Sequence, residues 1–151
     1  MNTVNSVAII GAGNMGSGIA QKSAQEQFNV QMVDREKQWV DRGEKIINDF
    51  LEEAIQRRIF KPEKVEEIKS RITGVVGTEN VAPDTDLVIE AVFEDFNIKK
   101  DVFNILDRVC GDKTILASNT SSLSVNELAK ATGRPDKFVG LHFFYHPAKN
   151  R

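Results

Sequence analysis

Gly11-Ala12-Gly13-Asn14-Met15-Gly16 decides how the chain is read. It fits G-x-G-x-x-G, directly after an apolar run at residues 4–10 and directly before a helical stretch carrying Ile19, Ala20 and Ala24. A glycine-rich turn alone is common, but its context here is specific. A second strand-like run, Asn29-Val30-Gln31-Met32-Val33-Asp34, follows the helix and ends in an acid 23 residues beyond Gly11. In such a unit the first glycine permits the tight turn, the second lets backbone approach a pyrophosphate, and the third lets helix pack on strand. The helix N-terminus presents N–H groups and a positive dipole end to phosphate. Asp34 stands where a carboxylate accepts hydrogen bonds from ribose hydroxyls and repels a 2′-phosphate, so NAD is expected over NADP. Arg35 beside it can cover an adenine or meet a 2′-phosphate. Gly11, Gly13, Asn14, Met15, Gly16, Asp34 and Arg35 are the expected cofactor-binding residues of this half.

Outward from that unit the chain alternates. Residues 36–60 are strongly periodic, with Trp39, Gly43, Ile46/Ile47, Phe50/Leu51 and Ala54/Ile55 recurring every three or four positions, which reads as an amphipathic helix. Pro62 suits the first turn of a second helix carrying Val65 and Ile68, so residues 36–71 read as a helical hairpin. Strands are expected at 72–76, 86–93, 114–118 and 137–144. Helices are expected at 97–110, with Ile98, Val102, Leu106 and Val109 on one side, and after the capping box Ser124-x-x-Glu127. Apolar strands separated by helices imply an α/β fold: a doubly wound parallel sheet of Rossmann type, with the hairpin inserted after the second strand.

Length and composition agree. At 151 residues the chain is one domain's worth. Twenty basic against 22 acidic residues give a net charge of −2, which argues against nucleic acid as the partner. Forty per cent hydrophobic and 28% charged residues are ordinary for a globular chain. No run approaches a membrane span. The single cysteine, Cys110, cannot pair internally, so a reducing compartment is expected, and residues 1–5 lack the basic and apolar stretches of a secretion signal. The expected location is cytoplasmic.

Four motifs then occur in order: Gly11 to Ala20, Glu90-Ala91-Val92-Phe93-Glu94-Asp95, Ser118-Asn119-Thr120-Ser121-Ser122-Leu123, and Gly140-Leu141-His142-Phe143-Phe144. Together with the hairpin, this series closely resembles the N-terminal NAD-binding domain of the L-3-hydroxyacyl-CoA dehydrogenases, over essentially the whole chain. The resemblance implies that His142 is the catalytic histidine, with Ser121 and Asn119 near the substrate hydroxyl and the nicotinamide. It implies that Ala91, Glu94, Lys99 and Asn119 line the cofactor, and that Arg57 on the hairpin lies near the CoA phosphates. The chemistry is consistent. Oxidising a secondary alcohol requires a base for the hydroxyl proton, a role suited to histidine near neutral pH, and a hydride acceptor on carbon. A serine hydroxyl can hold the same oxygen. Glu90 reads as structural. His142 and His146 would share a face of a strand, but no acid or cysteine completes a ligand set and no metal is expected.

The pattern departs from the family in two places. Tyr145-His146-Pro147 follows Phe144 where the family continues Asn-Pro, which bears on acyl preference. The chain also ends at Arg151, before the glutamate that orients the family's histidine, so nothing in it is expected to hold His142 in one tautomer. A C-terminal helical domain that receives substrate and makes a homodimer is expected in the full-length protein and absent here. The expected function is thus the NAD-binding portion of a dehydrogenase that converts (S)-3-hydroxyacyl-CoA and NAD to 3-oxoacyl-CoA and NADH. Its setting would be fatty-acid oxidation or butyrate-type metabolism, and the isolated chain would bind NAD but be nearly inactive. The alternatives are another two-domain NAD-dependent hydroxy-acid dehydrogenase, or a non-catalytic nucleotide-binding module of the same fold.

Overall fold

A computed structural model describes residues 3–149; the outermost residues of the expected 1–151 domain lie outside the described part. Six strands, β1 (Ser6–Ile10), β2 (Asn29–Asp34), β3 (Ile72–Val76), β4 (Leu87–Glu90), β5 (Ile115–Ser118) and β6 (Phe138–Gly140), form one sheet in the order β3-β2-β1-β4-β5-β6. Every pairing is parallel. Parallel strands need crossovers, and covered faces make them apolar on both sides. The helices α1 (Asn14–Gln25), α2 (Lys37–Gln56) and α3 (Pro62–Ser70) cover one face, where Ile19, Ala20, Ile47, Leu51, Val65 and Ile68 pack on Val7, Ile9 and Met32. On the other face α4 (Phe96–Val109) and α5 (Val125–Ala129) place Phe103, Leu106 and Leu128 against Ala8, Ile10, Val88 and Leu116. This is the expected doubly wound sheet, and the expected hairpin is α2 and α3.

Several boundaries differ from expectation, each for a local reason. β4 stops at Glu90 because the Val92 N–H turns back to Glu90 Oε1 at 2.7 Å. β6 ends at Gly140, so residues 141–144 form a loop and His142 is exposed, contrary to the expected strand. The His142 and His146 pair therefore shares no strand face; His146 stacks on Phe50 of α2 with ring centroids 4.9 Å apart. Along α2 the buried positions are Val40, Gly43, Ile47, Leu51 and Ala54, which leaves the two aromatic members of the periodic series, Trp39 and Phe50, for other uses. In α4 the buried positions are Lys99, Phe103 and Leu106; of the expected stripe, Leu106 is buried, Val102 and Val109 pack partly against the core, and Ile98 is exposed.

The centre of the sheet is tied at its base by Asp86. Its Oδ2 accepts from the Asn5 N–H, the Ser6 N–H and the Ser6 hydroxyl, each at 2.9 Å. The Asn5 and Ser6 backbone donors, then the Ser6 hydroxyl, hold the carboxyl below its ordinary value against the opposing pull of burial. A depressed carboxyl contributes stability that is present above the ordinary carboxylate range and lost as pH falls through its folded value. Asp86→Asn is expected to cost about 1–2 kcal/mol at pH 7. Urea midpoints at pH 7 and pH 3 check this: the gap between wild type and variant should narrow at the lower pH, and a pH-independent gap contradicts it.

Candidate functional site

The carboxyl ends of β1, β2, β4 and β5 all open on one edge of the sheet, where the strand order reverses between β1 and β4. Ligands of open α/β sheets bind at that reversal. Two clefts lie there and meet at Ala91 and Val92. The first, about 500 Å3, is lined by Gly11, Gly13, Asp34, Arg35, Trp39 and Thr78 on one side and by Phe93, Ile98 and Val102 on the other. The second, about 360 Å3, is lined by Met15, Glu94, Lys99, Asn119, Ser121, His142, Phe143, Phe144 and Tyr145.

The glycine turn is built for close approach. Gly11 has φ +106, and a Cβ there would lie 2.7 Å from the Ala91 carbonyl oxygen. At Gly16 a Cβ would lie 1.6 Å from the Gly11 oxygen, so only glycine lets α1 start against β1. At Gly13 a Cβ would meet no protein atom within 4 Å; the space above this backbone is open. Gly13 is also the N-cap of α1, with no side-chain cap and no acid in the first turn. An anion placed there would meet the helix's positive end. Asp34, at the end of β2, is aimed by backbone: Oδ2 accepts from the Ala12 N–H at 2.8 Å and Oδ1 from the Arg35 N–H at 2.7 Å. The donor set, the open ground over Gly13 and the apolar walls fit a dinucleotide with its adenosine end in the larger cleft.

A buried ionic cluster underlies the smaller cleft. Lys99 is 1% exposed and Glu90 0%, with Nζ 2.6 Å from Glu90 Oε1 and 3.1 Å from Glu94 Oε2. Lys99 donates a third bond to the Val92 carbonyl at 3.1 Å. Glu90 Oε2 accepts from the Ser118 hydroxyl at 2.6 Å, which makes Glu90 the structural carboxylate expected from sequence. Glu94 accepts from the Thr120 hydroxyl, and from the Ser122 hydroxyl at 3.0 Å. Burial alone would raise the Glu94 carboxyl, but the Thr120 hydroxyl and Lys99, helped by Ser122, hold it down at about 2.

Nothing in this chain is expected to hold His142 in one tautomer; the structure places one main-chain neighbour beside its ring. Its Nδ1 lies 3.0 Å from the main-chain oxygen of Asn119. The Asn119 side-chain Oδ1 accepts from the Phe143 N–H at 2.7 Å. His146, by contrast, is held below its ordinary value by burial against the hairpin and by nearby Lys149; its Nδ1 accepts from the Ala148 N–H at 3.2 Å.

Most of the expected site residues thus converge on these clefts. Gly11, Gly13, Asp34 and Arg35 line the larger one; Met15, Glu94, Lys99, Asn119, Ser121 and His142 line the smaller; Ala91 lines both. Asn14 and Gly16 form the first turn of α1. Arg57 does not join them: it caps the C-terminus of α2, pairs with Glu53 at 2.5 Å and lines neither cleft. Trp39, Thr78, Phe93, Ile98 and Val102 were missed. Ile98 is 45% exposed while Val102 packs partly against the core, so the apolar stripe in the sequence does not tell a cleft-facing residue from a core one.

Sheet order, glycine turn and acid-terminated β2 define a dinucleotide-binding domain of the Rossmann class. Residues 6–150 match the family model described as "3-hydroxyacyl-CoA dehydrogenase, NAD binding domain". The chain is 42% identical over 138 residues to a 3-hydroxybutyryl-CoA dehydrogenase of Clostridioides difficile, covering 91% of this chain and 49% of that protein. It is 38% identical over 146 residues to the mitochondrial hydroxyacyl-coenzyme A dehydrogenase of Sus scrofa, covering 93% and 46%. The crystal structure of an (S)-3-hydroxybutyryl-CoA dehydrogenase from Ralstonia eutropha superposes with a TM-score of 0.91 at 36% identity, covering 97% of this chain and 51% of that one. The chain belongs to the 3-hydroxyacyl-CoA dehydrogenase family, as its NAD-binding domain, and NAD is its cofactor. It spans about half the length of these relatives. Among the described residues no helix is long and apolar enough to cross a membrane.

Proposed function

We propose that the chain is the cofactor-binding half of an enzyme that oxidises the C3 alcohol of (S)-3-hydroxyacyl-CoA to the 3-oxoacyl-CoA, in a reducing, cytoplasmic setting. One observation carries the reading: a backbone-aimed carboxylate, Asp34, and a histidine with an orienting partner, His142, occupy adjoining clefts on one sheet edge. Asp34 binds the adenosine ribose and the α1 N-terminus receives the pyrophosphate over Gly13. When bound, the nicotinamide supplies the acceptor for the hydride that leaves C3. His142 takes the hydroxyl proton as general base and returns it to the forming alcohol in reverse. The Ser121 hydroxyl, lining the same cleft, holds the substrate oxygen by a hydrogen bond. Glu94 and Lys99 shape the nicotinamide side. Acyl-CoA is the proposed substrate from the relatives' names; Arg57 has no part in this reading. A helical domain closing over the acyl group completes the cleft, so the chain alone is expected to turn over poorly.

Calorimetry tests the cofactor half. NADH should bind more tightly than NADPH, and Asp34→Ala should weaken NADH about tenfold or more, the weight of one charge-assisted bond. No binding at millimolar NADH would favour a non-catalytic module. On the chemical side, acetoacetyl-CoA reduction by the isolated chain at full-length rates contradicts the half-site reading. Turnover of the free acid as readily as the thioester contradicts the substrate class.

A further inference from the structure

Both acceptors of Asn119 are directed at the segment that carries His142. The main-chain oxygen lies 3.0 Å from His142 Nδ1, and the side-chain Oδ1 accepts from the Phe143 N–H at 2.7 Å. One residue back, the Ser118 carbonyl accepts from the Leu141 N–H at 2.9 Å. Three consecutive residues of the loop beyond β6 are therefore fastened to two consecutive residues at the end of β5. The anchor is itself fixed from beneath. The Asn119 N–H donates to the Glu90 carbonyl at 2.8 Å, the Ser118 hydroxyl to the Glu90 carboxylate at 2.6 Å, and the Thr120 hydroxyl to Glu94. Glu90 is in turn held by buried Lys99.

We propose that Asn119 is a positioning residue that fixes His142 as the Nδ1–H tautomer, so that Nε2 keeps its lone pair. A carbonyl oxygen only accepts, so the contact with Nδ1 is a hydrogen bond only when that nitrogen carries the proton. One such bond is too weak to order an exposed ring by itself. The side-chain bond to the next residue does the mechanical part: it holds the loop backbone where ring and carbonyl stay in register. The Asn119 amide thereby acts through His142 rather than on substrate. The value of this arrangement to catalysis rests on His142 being the general base proposed above; the tautomer assignment does not.

Nitrogen NMR of the 15N-labelled 151-residue chain, at a pH where the ring is neutral, tests it. His142 should show a pyrrole-like Nδ1 and a pyridine-like Nε2, the reverse of what an exposed, unconstrained imidazole prefers. Asn119→Ala, with the amide spectrum of the sheet unchanged, should shift the Nδ1–H to Nε2–H ratio roughly fivefold toward Nε2–H, the weight of one net hydrogen bond. Asn119→Asp keeps an oxygen acceptor for the Phe143 N–H and should restore the wild-type tautomer. Nε2–H in the wild type overturns the proposal without any variant; so does an unchanged ratio in N119A, or failure of N119D to restore it. Failure of NADH to bind would sink the functional reading and leave the tautomer result standing, so the two failures are distinguishable.

Discussion

Lys99→Met should destabilise the fold by about 3–5 kcal/mol, the cost of leaving a buried charge without its partner. Glu90 is completely buried and would keep only the Val92 N–H and the Ser118 hydroxyl as donors. Two dipoles do not replace an ammonium at 2.6 Å in a site closed to water. Glu94 would lose the same cation, and with it part of what anchors Thr120 and Ser122. If unpaired charge is the cause, the double variant E90Q/K99M should recover most of the loss, because removing both charges of a buried pair is far milder than removing one. Urea denaturation followed by circular dichroism reads this directly. A K99M chain within about 1 kcal/mol of wild type would mean that the cluster is solvated and structurally minor.

The second large effect separates two glycines that look alike in the motif. Gly16→Ala should destabilise the fold by about 3 kcal/mol, since its Cβ would lie inside the Gly11 oxygen, at 1.6 Å, and α1 must move off β1 to make room. That movement opens the core where Ile19, Ala20 and Ala24 pack. Gly13→Ala meets no protein atom and has φ −75, which alanine adopts without strain, so stability should change by less than about 0.5 kcal/mol. NADH binding should nevertheless fall steeply in G13A, because the added methyl occupies the ground proposed for the pyrophosphate. Thermal melts and NADH titrations on both variants give the contrast; equal losses of stability in the two would contradict it.

Much of the architecture was legible because one constraint, burial, writes itself into residue type. The hairpin, the parallel order and the glycine turn all follow from apolar runs and their spacing. The errors fall where apolar residues serve something other than the core. Ile98 and Val102 read as one side of an amphipathic α4 with Leu106 and Val109, yet both line the larger cleft, and the helix is rotated so that Lys99 and Phe103 point inward. A lysine is the last residue that periodicity would place in a core, and two carboxylates with the Val92 carbonyl make that position tolerable. Likewise the strand expected at 137–144 shrank to three residues, because Leu141 to Phe143 bond to the end of β5 through irregular partners. The orienting group for His142 could not be found by looking for an acid. Among the described residues the group beside its Nδ1 is a main-chain carbonyl, which every residue carries and which sequence cannot single out.

The place of β1 in the middle of the sheet has a consequence for how the chain is made. One edge of β1 pairs with β2, some twenty residues later, but the other pairs with β4, and the Ser6 N–H meets Asp86 across 80 residues. At translation rates of roughly 5–20 residues per second, the second edge waits about 4–16 s for its partner to be synthesised. During that interval an apolar strand carries an open ladder of donors and acceptors, the feature most prone to mispairing. The first βαβ-like half can close one side early, but the sheet becomes continuous only after Leu87–Glu90 emerges. The same long-range pairing that creates the strand-order reversal, and with it the two clefts, thus delays both until β4 has been made.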